Sequence, residues 1–301
     1  IQGSRLRRRN SILFLFAFIC RFKRRSDLKP RLLWGFRPII NNKYFAKALS
    51  VSYKSNSCVV GLFSINKASD FDIVLGSDIF QLPRFIFWIF KSLYCYDIFH
   101  ISFYGGLLRY LGLGSIEPYV YKVAGIKTVL IAYGSDVHVY DKIRNKSYAN
   151  TLMSFYPQTY YARGKTIQQI NRWTKHADVI IPGMLIPNGF PRWDVVVPNF
   201  VVIDSSNFPD KKRVTLKKII KVVHTPNHKI IKGTEYIIDA IKKLQSEGFP
   251  VELILLEGYK NDEVLIILSH EADILVDQLV GSSYGLSGIE GMALGLPVIG
   301  N

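Results

Sequence analysis

A glutamate surrounded by small residues lies near the C-terminal end of the sequence. Glu290 occurs in GSSYGLSGIEGMALGLPVIGN, two residues after Gly288 and five after Gly285. Such glycines let a backbone approach a ligand closely, and a helix predicted to begin near Gly288 would offer free N–H groups and a positive dipole end to phosphate. In the first turn of that helix, Glu290 is placed to accept hydrogen bonds from sugar hydroxyls, or merely to complement the helix dipole.

The elements that position this loop follow from an alternation of short apolar runs with helical patterns. Two series of predicted strands occur, namely RLLWGF, SCVVGLF, DIFHISF, TVLIAY and DVIIP, and then KKIIKVVHT, VELILLE and DILVDQ. The helical patterns include PRFIFWIFKSLYC, TIQQINRWTKHA, GTEYIIDAIKKLQSEG and DEVLIILSHE. We therefore predict an α/β fold with two doubly wound, Rossmann-like domains that face a cleft, joined by a polar linker near Asp210.

Basic residues are concentrated at the N-terminal end. The first 60 residues contain fourteen Lys and Arg against Asp27 alone, in a chain whose formal net charge is +16. This excess flanks the apolar run SILFLFAFIC, which is shorter than the roughly 20 residues of a spanning helix. The pattern favours a segment that lies on an anionic membrane surface. An ordinary N-terminal segment and, as the weakest alternative, a nucleic-acid-binding segment stay open.

Cysteine usage and the two chain ends bear on the cellular setting. Cys20, Cys58 and Cys95 are widely spaced and lack metal-ligand spacing, which favours a reducing cytoplasm. We expect a cytoplasmic protein, peripheral on the inner face of the membrane. Because the chain lacks an initiator Met and ends directly after a strand-like run, we expect it to be part of a longer protein.

Four segments resemble one enzyme family. ADILVDQLVGSSYGLSGIEGMALGLPVIG resembles the donor-site segment of retaining GT-B glycosyltransferases, particularly family 4, and its core EGMALGLPVI is specific. HTPNHKIIKGTEYIIDAIKKL, DIFHISFYGG and VLIAYGSDVHVY resemble further parts of that family, so that the resemblance covers about residues 31 to 301. It implies an enzyme of polysaccharide biosynthesis, of the hexosyltransferase type, that transfers a sugar from a nucleoside diphosphate to a glycan or lipid-linked acceptor with retention.

The resemblance also implies the domain roles and the partners. Residues 1–30 would form the leader, 31–209 an acceptor-side domain and 210–301 an incomplete nucleotide-sugar-binding domain. The nucleotide sugar would be a co-substrate, with no further cofactor and no metal ion. The sequence contains no phosphate-binding glycine loop of the Walker type and no zinc-ligand spacing.

Donor-site residues can be carried over position by position. Two glutamates eight positions apart hold the donor in the family, and Glu290 matches the second, which binds ribose hydroxyls. Ser282 stands where the first, which binds the transferred sugar, is expected. Tyr284 and Gly285 match the loop whose backbone amides face the donor.

A basic donor site is expected at the start of the second series of elements. Lys232, directly before Gly233, matches the family lysine that neutralises the diphosphate, where a fixed cation would stabilise the charge on the leaving group. Lys229 or His228 would supply a further basic residue there.

The acceptor side is expected around YGSDVH, which resembles a family H-G-S-D stretch. Tyr133 stands where the family has His, and Asp136 and His138 are the candidates for catalysis from the same loop. A turn or capping role is the alternative for Asp136.

Three further residues are expected to face the cleft, namely Gly35, Arg37 and His100. A core position is the alternative for His100, and simple surface charge is the alternative for Arg37.

Other functions stay open at this stage. A phosphorylase or a sugar-nucleotide epimerase would share the fold, and a non-catalytic protein that binds sugar nucleotides or glycans would share the donor site. Two further templates fail. GLGSIE lacks the third glycine of a dinucleotide-binding loop. GSSYG is followed by no His or Asp, whereas a nucleophile elbow requires an acid and then a His downstream.

Overall fold

The computed structural model describes residues 2–22, 29–76, 78–182, 192–197, 201–209, 218–281 and 284–300, with side chains from Ser11 onward in the first of these ranges. The strands are β1 (Arg31–Phe36), β2 (Lys54–Val60), β3 (Ile73–Leu75), β4 (Ile98–Ser102), β5 (Lys127–Ile131), β6 (Val179–Ile181), β7 (Ile220–His224), β8 (Val251–Leu255), β9 (Ile274–Val276) and β10 (Val298–Ile299).

Helices lie between most consecutive strands, as parallel pairing requires. They are α1 (Gln2–Phe22), α2 (Asn41–Ser50), α3 (Leu82–Cys95), α4 (Glu117–Val123), α5 (Lys146–Phe155), α6 (Pro157–Tyr161), α7 (Arg163–His176), α8 (Lys229–Lys232), α9 (Thr234–Ser246), α10 (Asn261–His270) and α11 (Leu286–Ala293). Short 3-10 turns occur at Ala68–Asp70, Ile79–Gln81, Leu107–Leu111, Tyr140–Lys142 and Ser205–Asn207.

The chain divides into two compact units. Unit 1 comprises Ile1–Phe63, Lys67–Val139 and Arg163–Phe200, and unit 2 comprises Ser64–Asn66, Tyr140–Ala162 and Val201–Asn301. Both are α/β units built on a parallel sheet flanked by helices, which confirms the predicted fold class. The predicted boundary near Asp210 lies outside the described residues, and the limits 31–209 and 210–301 stay predictions.

Unit 1 contains a sheet of strand order β3-β2-β1-β4-β5-β6, in which every pair is parallel. The chain leaves β1 toward β2 and β3, and then crosses back to add β4 on the other side of β1. This reversal of direction defines a doubly wound sheet. Its central strands are apolar on both faces, with Leu33, Phe99 and Leu130 fully buried, as parallel strands covered by helices must be.

Unit 2 contains a parallel sheet of order β10-β9-β7-β8. Val222 and Val223 are neighbours in β7 and therefore point to opposite faces. Val222 packs in one cluster with Ile237 and Ile241 of α9, whereas Val223 packs with residues of α10, namely Leu265 and Leu268. Helices therefore cover both faces of this sheet.

The apolar N-terminal run forms part of α1 and packs on unit 1. Leu13, Ala17 and Cys20 are buried in the unit 1 core, and the rings of Phe16 and Phe90, on α3, meet edge to face. The opposite face leaves apolar side chains exposed, at Ile12, Leu15, Phe18, Ile19 and Phe22. Among the described residues, no helix is long and apolar enough to cross a membrane.

Candidate functional site

The candidate site of unit 2 lies at the carboxyl edge of its sheet. Strand β7 is paired with β8 on one side and β9 on the other, although β8 and β9 are consecutive in the chain. The chain therefore changes direction between β7 and β9, and such a switch point opens a crevice beyond the carboxyl ends of the strands. Lys232 follows β7 through α8, and Asp277 directly follows β9.

Lys232 is turned inward at the end of α8. Gly233 has φ +74° and serves both as the C-cap of α8 and as the N-cap of α9, a conformation that favours glycine. Only 7% of Lys232 is exposed, and its ammonium group forms an ion pair with Asp277. The carbonyl oxygen of Lys232 also accepts a hydrogen bond from the N–H of Leu279, 3.1 Å away. The sequence predicts a fixed cation at this position. In the structure that cation, Lys232, already has an anionic partner in Asp277.

Asp277 was not predicted from the sequence as a residue of this site. Its side chain is 1% exposed and accepts hydrogen bonds from the ammonium group of Lys232, the N–H of Gly285 and the hydroxyl of Ser287, the last at 3.0 Å. One carboxylate therefore joins α8, the loop after β9 and the start of α11. Its position directly after an apolar strand in DILVDQ was the available signal.

Gly285, before α11, and Gly288, in its first turn, are both required by Asp277. A Cβ atom added to Gly285 would lie 2.5 Å from the Lys232 nitrogen and 2.9 Å from one Asp277 carboxylate oxygen. A Cβ atom on Gly288 would lie 2.8 Å from the other oxygen. From the sequence, these glycines were expected to let the backbone approach a ligand. In the structure, the group that approaches this backbone is the Asp277 side chain.

Glu290 lies deeper in its helix than predicted. Because the N–H of Gly285 is bound by Asp277, α11 begins at Leu286 rather than near Gly288, and its first turn contains no acidic residue. Glu290 therefore lies in the second turn, which corrects the predicted placement at the dipole end. It is 2% exposed, and its carboxyl group accepts a hydrogen bond of 2.8 Å from the amide of Asn261. Burial, together with the charge of Asp277, raises the pKa of Glu290 to about 7.

A buried histidine, His224, joins the elements that carry these residues. His224 ends β7 and is fully buried. Its Nδ1 donates to the carbonyl oxygen of Val276, 2.8 Å away, and its Nε2 lies 2.9 Å from the hydroxyl of Thr234. Burial lowers the pKa of His224, so the neutral imidazole accepts from that hydroxyl. The ring joins β7, β9 and α9 without adding charge to the site.

The remaining donor-site candidates lie around this cluster. Lys229 forms an ion pair of 2.8 Å with Glu257. His228 lies 2.9 Å from the hydroxyl of Tyr156, and burial lowers its pKa. Tyr284 is about one third exposed, at 36%, whereas Ser282 lies outside the described residues. Lys232, Asp277, Glu290 and Asn261 are called the edge cluster below.

In unit 1, Asp136 ties two loops together. Its buried carboxylate accepts hydrogen bonds from the N–H groups of Phe103 at 3.1 Å, Tyr133 at 3.2 Å and Gly134 at 2.9 Å. These donors follow β4 and β5. Burial raises the pKa of Asp136 to about 6, against the opposing effect of these hydrogen bonds. These hydrogen bonds give Asp136 a structural role, since they hold the two loops in place. A turn or capping role was the alternative stated from the sequence.

The other residues of YGSDVH are spread around this clamp. The Tyr133 hydroxyl donates to Asn42 over 3.3 Å, and burial raises the pKa of Tyr133 far above its ordinary value. His138 is half-buried, and burial lowers its pKa to about 4. His138 therefore carries a neutral ring at physiological pH.

Two predicted cleft residues lie inside the unit 1 sheet. Gly35 belongs to β1, where an added Cβ atom would lie 2.0 Å from the carbonyl oxygen of Cys58 on β2. His100 lies within β4, and its ring stacks on that of Trp34 with centroids 3.7 Å apart. Burial lowers the pKa of His100 to about 3. Packing within the sheet explains both residue types.

Arg37 follows β1 and reaches the carboxyl edge of the unit 1 sheet. Its guanidinium carbon lies 5.0 Å from the ring centroid of Tyr104, which follows β4, and 5.4 Å from that of Phe63. Arg109 lies 5.0 Å from the same Tyr104 ring. The sequence analysis singled out Arg37 but not Tyr104 or Arg109. Within the described ranges, no group of three or more His, Cys, Asp or Glu side chains is placed to hold a metal ion.

Comparisons with known proteins give the following results. A search against protein-family models and a search of curated proteins find no match. Among solved structures, the glycotransferase of kitacinnamycin has 10% identity and a TM-score of 0.44, with 90% of this chain and 80% of that chain covered. The spinosyn forosaminyltransferase SpnP has 12% identity and a TM-score of 0.44, with 91% and 80% covered. The spinosyn rhamnosyltransferase SpnG, complexed with thymidine diphosphate, has 11% identity and a TM-score of 0.39, with 89% and 79% covered.

Proposed function

We propose that the chain is a GT-B glycosyltransferase that transfers a sugar from a nucleoside diphosphate to a glycan or lipid-linked acceptor. The proposal includes retention of configuration, kinship with family 4, transfer of a hexose, a role in polysaccharide biosynthesis and a reaction that needs no metal ion. The nucleotide sugar binds to unit 2 at the edge cluster, and the acceptor binds to unit 1.

One observation carries the proposal, namely the burial of Glu290 without a cationic partner among the described residues. Burying a carboxyl group away from a positive charge is unfavourable. The group keeps lone pairs free beyond its single bond to Asn261. Buried acids of this kind, placed at a switch point and perturbed in pKa, are typical of binding sites. Ribose hydroxyls are donors of the right kind for Glu290.

Lys232 is the proposed partner of the diphosphate. Asp277 would then compete with the diphosphate for the ammonium group of Lys232. A diphosphate that approached Lys232 would meet a cation already neutralised by a buried carboxylate. We propose that the ion pair opens when the donor binds. The released ammonium group would then stabilise the charge that develops on the leaving diphosphate.

Residues near the site complete the proposal. The donor contacts the side chains of four further residues, namely Lys229, His228, Tyr284 and Ser282. Its closest backbone contacts are at Gly233 and Gly285. On the acceptor side, Asp136 holds the loop after β5 in place, and His138 acts there as a neutral imidazole.

Calorimetry with nucleoside diphosphates tests the donor site. We expect micromolar binding of one diphosphate from a panel that covers the five common bases. Glu290→Gln should weaken it about ten- to hundredfold, because the amide can accept only through one oxygen and carries no charge. Glu252→Gln, at an exposed position of β8, is the matched control and should bind as the wild type does.

A neutral double variant tests the role of Lys232. Lys232→Met combined with Asp277→Asn removes both charges, and Lys242→Met combined with Asp239→Asn makes the same exchange on the exposed face of α9. Loss of binding in the first double variant only would support the diphosphate role. Wild-type affinity in both would refute that role, and binding without turnover of any sugar nucleotide would favour the non-catalytic alternative.

The N-terminal helix is the proposed membrane contact of a peripheral, cytoplasmic enzyme. The exposed side chains Ile12, Leu15, Ile19 and Phe22 recur at helical spacing, and α1 contains five arginines and no acidic residue. An apolar stripe with basic neighbours suits the interface of an anionic bilayer.

Vesicle sedimentation tests this contact. We expect the protein to sediment with vesicles that contain phosphatidylglycerol and to remain largely in solution with neutral phosphatidylcholine vesicles. Ile19→Ser combined with Phe22→Ser should lower the bound fraction roughly tenfold or more. Val51→Ser combined with Phe249→Ser alters two exposed apolar positions elsewhere and should leave it unchanged. Equal losses in both double variants would exclude α1 as the contact.

A further inference from the structure

Two arginines of unit 1 converge on one tyrosine ring. The guanidinium carbons of Arg37 and Arg109 each lie 5.0 Å from the ring centroid of Tyr104. The two positive charges are therefore held within about 10 Å of each other, a separation at which like charges repel appreciably near a protein surface. An arrangement that is unfavourable by itself becomes favourable when an anion lies between or beside the cations.

The arginines are held in place by defined contacts. Arg109 donates from Nη1 to the carbonyl oxygen of Tyr104 at 2.6 Å and to the amide oxygen of Gln169 at 2.8 Å. Gln169 in turn donates to the carbonyl oxygen of Phe103. Arg37 lies near the hydroxyl of Tyr110, whose pKa its charge lowers against the larger effect of burial. Such fixed guanidinium groups lose little freedom when they bind a ligand, which favours recognition.

None of the carboxylates that the structure describes neutralises these arginines. In the part of the chain that the structure describes, neither Arg37, Arg109 nor the neighbouring Arg172 forms an ion pair. Glu117, a buried acid nearby, is engaged elsewhere. Its carboxyl group accepts from the N–H groups of Gly106 and Leu108, at 2.8 Å and 2.7 Å, and burial raises its pKa, which favours its neutral form.

Arg109 and Tyr104 line a pocket of suitable size, and Arg37 lies against the same Tyr104 ring. An open pocket of about 250 Å³ is lined by Tyr104, Arg109, Ser115, Gln169, Arg172 and Trp173. Arg37 follows β1 and Tyr104 follows β4, the two strands between which the direction of the unit 1 sheet changes. Ligands of doubly wound sheets bind at that point. The pocket thus combines positive charge from Arg109 and Arg172 with an aromatic wall, and Tyr104 joins it to the switch point.

We propose that this pocket binds a phosphate group carried by a small molecule of sugar-phosphate size, and that the acceptor of the reaction bears this group. The second part rests on the proposed function, and the first does not. Guanidinium groups match phosphate because their N–H donors form paired hydrogen bonds to two oxygens. Arg109 and Arg37 would bind the phosphate, Arg172 would add charge at the rim, and Ser115 and Gln169 would contact the attached polar group.

Calorimetry with inorganic phosphate, glucose 6-phosphate and glucose tests the site. We expect the sugar phosphate to bind more tightly than inorganic phosphate, and glucose not to bind. Arg109→Gln and Arg37→Gln should each weaken binding about ten- to hundredfold, whereas Arg109→Lys should retain part of it. Arg84→Gln removes an exposed charge of α3 in the same unit and should have no effect.

Three results would overturn the proposal, namely equal weakening by Arg84→Gln, wild-type binding in both glutamine variants, and binding of inorganic phosphate alone. Tryptophan fluorescence verifies the folding of the variants, because all four tryptophans of the chain belong to unit 1. The diphosphate panel separates this inference from the proposed function. Arg109→Gln should leave diphosphate binding by unit 2 unchanged, so that either site can fail while the other is confirmed.

Discussion

Replacing Lys232 by methionine is expected to lower the free energy of unfolding of unit 2 by about 3 to 5 kcal/mol. The ammonium group of Lys232 is the cationic partner of Asp277, whose side chain is 1% exposed. Without it, a buried carboxylate keeps only the N–H of Gly285 and the hydroxyl of Ser287 as donors. Removing one partner of a buried pair is costly because the other charge stays buried and unpaired.

The neutral double variant is the decisive comparison. Adding Asp277→Asn to Lys232→Met removes the unpaired charge and keeps an oxygen for the N–H of Gly285, so that most of the lost stability should return. Pulse proteolysis in urea, with the cleavage sites mapped by mass spectrometry, follows unit 2, since tryptophan fluorescence reports on unit 1 alone. A double variant as unstable as the single one would show that Lys232 acts through packing rather than charge.

Glu290→Gln is expected to remove a fall in the stability of unit 2 between about pH 4.5 and pH 7. The pKa of Glu290 is raised to about 7, mainly by burial, whereas in the unfolded chain it would lie near 4.3 to 4.5. As the pH rises through this window, the unfolded chain releases the proton while the folded protein retains it. The contribution of Glu290 to stability therefore decreases by about 3 kcal/mol as the pH rises through this window, and it is constant above about pH 7.

The urea midpoint at pH 5 and at pH 8 measures this effect. In the wild type the midpoint of unit 2 should be lower at pH 8, and Glu290→Gln should raise it at pH 8 more than at pH 5. Other groups that titrate in this range, such as Asp136 of unit 1, are common to both proteins, so the difference between the two isolates Glu290. An identical pH dependence in both would show that folding does not raise the pKa of Glu290. A variant that is more stable but binds diphosphate less well would indicate that the acid is retained for its ligand.

Much of the fold could be predicted because parallel strands are buried on both faces. Such strands appear in the sequence as uninterrupted apolar runs, and RLLWGF coincides with β1 (Arg31–Phe36). The three-residue strand β3 (Ile73–Leu75) carries no comparable signal. The start of α11 was misplaced by two residues, because it is set by the bond between Gly285 and Asp277, and a tertiary contact of this kind has no local signature.

The candidate site was predictable where one residue type carries its chemistry, and less so where two residues must meet. Lys232 and Glu290 were recognised from their motifs, whereas Asp277 is 45 residues from Lys232 in the chain and becomes significant only as its partner. Arg109 and Tyr104 lie near each other in the sequence, but their relation to Arg37 arises from the neighbouring positions of β1 and β4 in the sheet.

Residues Tyr140–Ala162 belong to unit 2, although the chain around them belongs to unit 1. Helix α5 packs on α8, and Tyr156 contacts His228, so this segment leaves the ribosome about 70 residues before its partner. At about 5 to 20 residues per second, the delay is roughly 4 to 14 seconds. During that time the apolar face of α5, with Ala149 and Leu152, is exposed, because the residues that pack against it have not yet been synthesised. Chaperone binding and premature pairing compete with correct docking in this interval, so the order of synthesis constrains how unit 2 assembles.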